Sequence, residues 1–356
     1  MEELSRGHGV DMIGFSVVGD FSFADQAAVE LVVDGCVGLL FSYAVMDERK
    51  RVGTFFLRLK GETMDRCPLF LDSGAHGLYT REVMKKVPVR MRHRVNPYEF
   101  YETNGFWEYV DSYAAFLKLH PDIRLYANVD VIFNPKLSWK VLKYLEREHG
   151  LSPVPVIHFG TEVRWVKRHL DAGYEFLGIG GLGQEAQRRD YVGWADTVFR
   201  LVCSGADRMP LVRTHGFAIG SPSLMRRYPW WSVDSATWVK SAGFGKIFVP
   251  RKKSGKWDFF HHLGIDVSDK SPSLQVKGQH ITNLSPGEKR AVIEWLDEIG
   301  VPLGSMTDSK NDTQKTVMNH RSCRILANLH FFKGLVRSLP WPRPFGARKV
   351  VGRIGL

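Results

Sequence analysis

A chain of 356 residues with 44% hydrophobic residues and 22 Phe, 11 Tyr and 10 Trp can bury a large core. No uninterrupted apolar run reaches the ~18 residues of a membrane span, and the charged N-terminus MEELSRGHGVDM has no apolar signal core, so a cytoplasmic protein is expected. The net charge of +11 and pI of 9.4 favour a polyanionic partner, the alternative being a basic protein with an evenly solvated surface.

The elements alternate along the chain. Residues 10–20 and 37–45 are apolar, β-branched runs and are predicted as strands; between them DQAAVELVVDG places Ala27, Ala28, Leu31 and Val32 at helical spacing. FFLRLKG is followed by the apolar strand LFLDSGAHG, which ends in Asp72. The basic stretch Thr80 to Arg94 lacks a steady period and contains Pro88, so a loop or lid is expected. Residues 97–119 contain a helix with Phe106, Val110, Tyr113, Ala114 and Leu117 on one face. IRLYANVDVI follows as a strand with Asp130 near its end, and LSWKVLKYLEREHG as a helix stopped by Gly150. Strand and helix then alternate through VPVIHFG, TEVRWVKRHLDAG, FLGIGGLG, DYVGWADTVFRLV, PLVRTHGFAIG, SLMRRYP and WWSVDS, and KIFVP adds one extended piece.

This βα repeat predicts a parallel sheet. About eight such units make an α/β fold of the (β/α)8 TIM-like barrel type the expected architecture over residues 1–265. An open doubly wound sheet is the alternative, although no GxGxxG follows the first strand. Residues 266–356 are expected as a helical, basic extension packed on or near the barrel. VSDKSPSLQVKGQ reads as a polar linker; LSPGEKRAVIEWLDEIG is a helix with Ser285 as N-cap, Pro286 at its first position and Glu288 closing a capping box. A last helix spans about Ser322 to Val336, and the tail PWPRPFGARKVVGRIGL is expected to be mobile unless something anionic orders it.

Charge is blocked rather than scattered. No acid follows Asp312, whereas Lys315, Arg321, Arg324, Lys333, Arg337, Arg343, Arg348, Lys349 and Arg353 do. Two further clusters are KKVPVRMRHR, with Lys85, Lys86, Arg90, Arg92 and Arg94, and KIFVPRKKSGK, with Lys246, Arg251, Lys252 and Lys253. Such patches suit a phosphate backbone.

In a parallel barrel the strands' C-terminal ends converge on one face. Asp72 and Ser73, Asp130, His158, the Gly180-Gly181-Leu182 turn, His215 to Ala218, and Asp234 all fall there. One such Asp is readily explained as a strand-end cap; three on one rim imply a function. His76, His158, His215 and Asp234 could ligate zinc, but no HxH or HExxH supports it, and His261 and His262 are adjacent. Cys36, Cys67, Cys203 and Cys323 are too far apart for a CxxC knuckle or a disulfide framework. No GxSxG supports Ser-His-Asp catalysis.

Four segments, in order, resemble the tRNA-guanine transglycosylases. LFLDSGAHG is similar to that family's DSGGFQ signature at Asp72, Ser73 and Gly74. YANVDVIFNP resembles its strand bearing a base-reading aspartate, at Asp130. YEFLGIGGLGQE resembles its GGLAVGE turn, at Gly180, Gly181 and Leu182. THGFAIGSPSLMRRYPWWSVDSATW resembles the stretch from its MGVG turn, at Phe217 and Ala218, to its nucleophile strand, at Asp234. The match covers about residues 65–240.

The resemblance implies a pentosyltransferase working by double displacement, with Asp234 as covalent nucleophile and Asp72 as general acid/base. Ser73, Gly74, Asp130, the Gly180–Leu182 turn, Phe217 and Ala218 would hold the base, with His158 in the place of a base-contacting Gln. The family's CxCxxC zinc module is absent, so no cofactor is expected. Ala75-His76-Gly77 and SATW also depart from the pattern. Together with the basic C-terminus, these departures look more like the family's DNA-modifying, DpdA-type branch of phages and bacterial modification islands, which implies insertion of 7-cyano-7-deazaguanine (preQ0) or a derivative into DNA. A tRNA substrate and a non-catalytic nucleic-acid-binding subunit are the alternatives. On DNA the target nucleotide must leave the stack; the basic clusters would hold the backbone, and Tyr228, Trp230 or Trp231 would fill the gap, unless those rings are core.

Overall fold

Short apolar runs followed by amphipathic helices fold here as parallel strands with helices between them. The computed structural model describes residues 12–14, 39–44, 69–84, 88, 98–132, 134–181, 188–271, 278–305 and 314–346; elements are numbered over those residues. Strands β1 (Met12–Gly14), β2 (Leu39–Ser42), β3 (Leu69–Asp72), β4 (Leu125–Tyr126), β5 (Val156–His158), β6 (Phe176–Gly180), β7 (Arg213–Gly216) and β8 (Ser232–Asp234) form two sheets, ordered β1-β8-β7-β6-β5 and β2-β3-β4. Every pairing within them is parallel. A parallel bridge between Ala127 and Val154 links β4 to β5, with Asn128 N–H donating to Val154 O at 2.8 Å and Val154 N–H to Tyr126 O at 2.8 Å. Spatial order therefore follows chain order from β2 to β8 and then β1. β1 and β2 lie side by side without ladder pairing among the described residues, so the class is mixed α/β with parallel sheets and no closed ring of bonded strands.

Side chains alternate across each strand, which sorts the apolar residues into two layers. Leu40, Phe70, Ala127, Val154, Val156 and Trp231 form one buried cluster; Phe41, Leu71, Ile157, Leu177, Ile179 and Val233 face the helices in the other. Phe70 on β3 reaches across to Phe176 on β6 (ring centroids 6.1 Å), His215 on β7 (4.6 Å) and Phe217 (5.7 Å). These strands are not neighbours of β3, so the sheets curl around a shared interior. Asp72, His158 and Asp234 each lie two residues beyond an inward residue (Phe70, Val156, Ser232), and so share that inner face at the strands' C-terminal ends.

The helices are α1 (Ala75–Tyr79), α2 (Tyr98–Tyr101), α3 (Asn104–Leu119), α4 (Pro135–His149), α5 (Val163–Asp171), α6 (Arg188–Val202), α7 (Pro222–Arg227), α8 (Thr237–Gly243), α9 (Pro286–Glu298) and α10 (Arg321–Arg337). The predicted face of α3 is the buried one: Phe106, Val110, Tyr113, Ala114 and Leu117. Gly150 caps α4 with φ 67°. The capping box of α9 is complete, Ser285 and Glu288 bonding reciprocally.

Several expectations are corrected. The start of the expected loop or lid is helical, as Thr80–Met84 forms a π-helical turn continuing α1. The strand expected to carry Asp130 ends at Tyr126; Ala127 and Asn128 still bond to Leu71 and Val154, and beyond them Ser138 on α4 holds the chain, its hydroxyl accepting from Val131 N–H at 2.8 Å and its carbonyl from the Asn128 side-chain amide at 3.0 Å. KIFVP is extended as expected, and it starts an antiparallel hairpin, β9 (Lys246–Lys253) with β10 (Lys256–Asp266), which turns through Ser254 and Gly255 at φ 50° and 77°, the positive values a two-residue hairpin turn needs. At the start of the polar linker Val267, Ser268 and Ser271 are buried, and the N–H groups of Val267 and Ser268 both donate to Gly245 O; residues 272–277 of it lie outside the described residues. The helix expected between β1 and β2, and FFLRLKG, lie outside the described residues.

In the tail, too, the described residues 340–346 are held by the protein itself. Phe345 lies over Tyr228 (5.8 Å, 29°) and near Phe199. Arg343 donates to the carbonyls of Met225 and Tyr228, and Trp341 packs on the inner cluster, as do Leu125 and Phe176 at strand starts. The tail thus covers the end of the sheets opposite Asp72 and Asp234. Phe345→Ala is expected to cost roughly 3 kcal/mol, read as a lower urea midpoint at unchanged m-value; an unchanged midpoint would mean that the ring is not buried in solution.

Candidate active site

Asp72 sits where β3 ends. Ser42, its register partner on β2, hydrogen-bonds its carboxylate, and Gly74 N–H donates to Oδ2 at 3.2 Å. Gly74 has φ +77°, and a Cβ there would overlap Ala44 and stand 2.9 Å from the Tyr109 hydroxyl oxygen; only glycine allows this turn. Burial, then the charges of Asp130 and Asp234, push the Asp72 carboxyl up to about 7, against the Ser42 and Gly74 hydrogen bonds. Three carboxyl groups therefore share one pocket within electrostatic reach of one another.

Asp130, 5% exposed, is hydrogen-bonded through Oδ2 to His158 Nε2. Burial works against a charged His158, but the charge and hydrogen bond of Asp130, helped by Asp72, hold its pKa above the usual imidazole value. When His158 is protonated this contact is a charge-assisted hydrogen bond, the stronger kind. Gly180 faces His158 in register. Gly181 follows at φ +100°, and a Cβ there would come within 2.5 Å of Phe159 N, so this turn also requires glycine. His76 is exposed and within electrostatic reach of Asp130 and His158; desolvation, and the His158 charge, lower its pKa, with Asp130 opposing.

Asp234, also 5% exposed, ends β8. Its Oδ1 accepts from Ala218 N–H at 2.8 Å and lies 3.3 Å from His215 Nε2. Ala218 holds φ 58°, a left-handed conformation costly for a residue with a Cβ, and this turn points its N–H at the carboxylate. The His215 Nδ1 meets Ser232 Oγ at 2.7 Å.

The structure thus brings together Asp72, Gly74, Asp130, His158, Gly180, Gly181, Phe217, Ala218 and Asp234 at one end of the curled sheet. Ser73 is also there but is fully buried, with its hydroxyl unpartnered among the described residues and its carbonyl accepting from Tyr109 at 2.5 Å. Leu182, Lys85, Lys86, Arg90, Arg92 and Arg94 lie outside the described residues. Lys246, Arg251, Lys252 and Lys253 belong to the β9–β10 hairpin. Lys246 pairs with Asp266 at 3.8 Å and Lys252 with Glu294 of α9, while Arg251 and Lys253 are exposed near the turn. Tyr228, Trp230 and Trp231 are 0%, 1% and 3% exposed; they are core and cannot enter a gap in a base stack.

His215, expected on this face, lies beside Asp234, whereas reading the sequence assigned Ser42 and Ser232 no place beside Asp72 and Asp234. The signal for Ser232 was its i, i+2 spacing from Asp234 on one strand. Among the described residues no group of three or more His, Cys, Asp or Glu side chains is arranged to hold a metal ion. No helix among them is long and apolar enough to cross a membrane.

No family model matches the chain, and no curated protein does. Among solved structures the chain is similar to a mutant tryptophan synthase alpha-subunit from the hyperthermophile Pyrococcus furiosus, at 13% identity over 67% of this chain and 92% of that one, with a TM-score of 0.38.

The raised Asp72 value sets a pH dependence of stability. The unfolded chain releases this proton near 3.8 and the folded chain near 7, so folding takes up a proton between those values. Stability present below pH 4 is then lost as pH rises through 7. Asp72→Asn should leave stability near pH 4 little changed and raise it at pH 8, by on the order of 2 kcal/mol; equal effects at both pH values in urea titrations would contradict this protonation.

Proposed function

We propose that this chain is a guanine transglycosylase of the tRNA-guanine transglycosylase type, acting on DNA and exchanging guanine for a 7-deazaguanine such as 7-cyano-7-deazaguanine. The supporting observation is the pairing of unlike carboxyl groups on one inner face: Asp72, pushed up to about 7, and Asp234, fixed by Ala218 N–H. Two carboxyl groups with separate environments are what a double displacement at a glycosidic carbon requires. We take the strand order from β2 round to β1 as an eight-stranded parallel barrel whose last seam falls between β1 and β2, with its site at the C-terminal ends of the strands.

In this mechanism an Asp234 carboxylate oxygen donates its electron pair to C1′ of the nucleotide, and the C1′–N9 bond breaks with its pair going to guanine. Asp72, carrying a proton, delivers it to the departing base. The incoming 7-deazaguanine gives its N9 proton to Asp72, attacks C1′, and displaces Asp234, which regains its electron pair. One group serves as acid and then base, so a value near working pH suits it. Asp130 accepts from the base's amino and ring N–H groups, and the Gly180-Gly181 backbone donates to its carbonyl. A nucleic-acid substrate is favoured by the +11 charge and by the exposed Arg251 and Lys253 near the hairpin turn, and DNA among nucleic acids by the departures at Ala75-His76-Gly77 and SATW. The target nucleotide reaches the pocket flipped or from a single strand.

Incubation with labelled guanine and, separately, single-stranded DNA, duplex DNA and tRNA tests this. Exchange into DNA is expected, reduced at least about a thousandfold by Asp234→Asn, with a rate maximum near pH 7 that Asp72→Asn abolishes. Label entering tRNA alone would overturn the DNA substrate; label in neither polymer, or exchange unaffected by Asp234→Asn, would overturn the transglycosylase mechanism.

A further inference from the structure

The parallel register of β7 and β8 places His215 opposite Ser232. Ser232 and Asp234, two apart on β8, face the same way. Both nitrogens of one imidazole are thereby engaged: Nδ1 with Ser232 Oγ at 2.7 Å and Nε2 with Asp234 Oδ1 at 3.3 Å. A carboxylate only accepts hydrogen bonds, so Nε2 carries the proton; Nδ1 of the neutral ring is then a lone pair and accepts from the Ser232 hydroxyl. One tautomer satisfies the whole chain. The ring is fully buried, held edge-on against Phe70 (4.6 Å, 72°) and Phe217 (4.5 Å, 75°), so it has little freedom to turn.

The set Ser232–His215–Asp234 has the composition of a hydrolytic triad but not its layout. Ser232 is fully buried below the carboxylate and has no route to a substrate. The chain therefore runs the other way, from a buried hydroxyl through the imidazole to the carboxylate at the pocket. With Ala218 N–H also on Oδ1 at 2.8 Å, that oxygen receives two donors, whereas no described group donates to Oδ2.

We infer that Ser232 and His215 are positioning residues for Asp234: they hold Oδ1 and leave Oδ2 as the atom that forms the bond to the sugar. This rests on the transglycosylase mechanism above for its chemistry, but on the β7–β8 geometry alone for the relay. The incoming lone pair belongs to Oδ2, and the negative charge it leaves behind on returning to the free carboxylate is shared with an Oδ1 already bonded.

Two measurements test it. In protein labelled with nitrogen-15 histidine, ring NMR signals assigned through their disappearance in His215→Gln should report the Nε2–H tautomer, and Ser232→Ala should shift the Nδ1 resonance. A Nδ1–H tautomer, or a Nδ1 signal indifferent to Ser232→Ala, overturns the relay. In guanine exchange, His215→Leu should lower kcat about a hundredfold with KM changed less than about twofold, while His215→Gln, whose amide can replace the Nε2–H, should recover most of the rate. A His215→Leu variant that keeps wild-type kcat overturns the positioning role with the transglycosylase mechanism intact. A wild-type protein that exchanges guanine into no nucleic acid overturns that mechanism, and the NMR result still judges the relay.

Discussion

Three carboxyl groups on one water-poor inner face cannot all be ionised at small cost, and the local structure around them answers that constraint. Each receives different relief. Asp130 faces an imidazole held above its usual pKa by the contact itself. Asp234 receives a backbone N–H from a turn bent into the left-handed region at Ala218. Asp72 has a neighbouring hydroxyl and one backbone N–H, too little to offset burial and two like charges, and so retains its proton to about pH 7. The difference in chemistry among three identical side chains thus comes from the donors that each one's own surroundings supply.

The framework for this is the parallel register. Strands of two to five residues are too short to carry much stability alone, so the inner face depends on residues meeting from distant strands, with Phe70 touching β6 and β7 as the clearest case. The same alternation that sends Phe70 and Ser232 inward sends Asp72 and Asp234 inward two residues later, next to the opening. Apolar packing below and polar function above are consecutive positions of one pattern.

Much of this was legible because it is local. The face of α3, the Gly150 cap and the Ser285–Glu288 box depend on residues within a few positions, and each appears as expected. Asp72 and Asp234 stood out as acids directly after apolar, β-prone runs. What sequence did not disclose is long-range. Tyr228, Trp230 and Trp231 look like stacking rings until Phe199, Phe176 and the tail are seen to bury them. Likewise, Ser138 holds the Asn128 side chain and Val131 N–H from a helix that begins later, and the His215–Ser232 contact depends on how two strands align. The Pro-rich tail reads as mobile from composition, because nothing in its own residues announces that Arg343 finds the Met225 and Tyr228 carbonyls.

The tail also bears on how such a chain is made. β1 obtains its parallel partner only when β8 exists, and the inner cluster gains Trp341, and the Tyr228 and Phe199 rings gain Phe345, only when the tail arrives. A ribosome delivers the first strand early and its closing pieces last, so the apolar interior around Leu40 and Phe70 has to wait, exposed, for most of synthesis. Long-range parallel pairing is slow for this reason, and the nascent chain is a natural client for a chaperone that shields apolar surface.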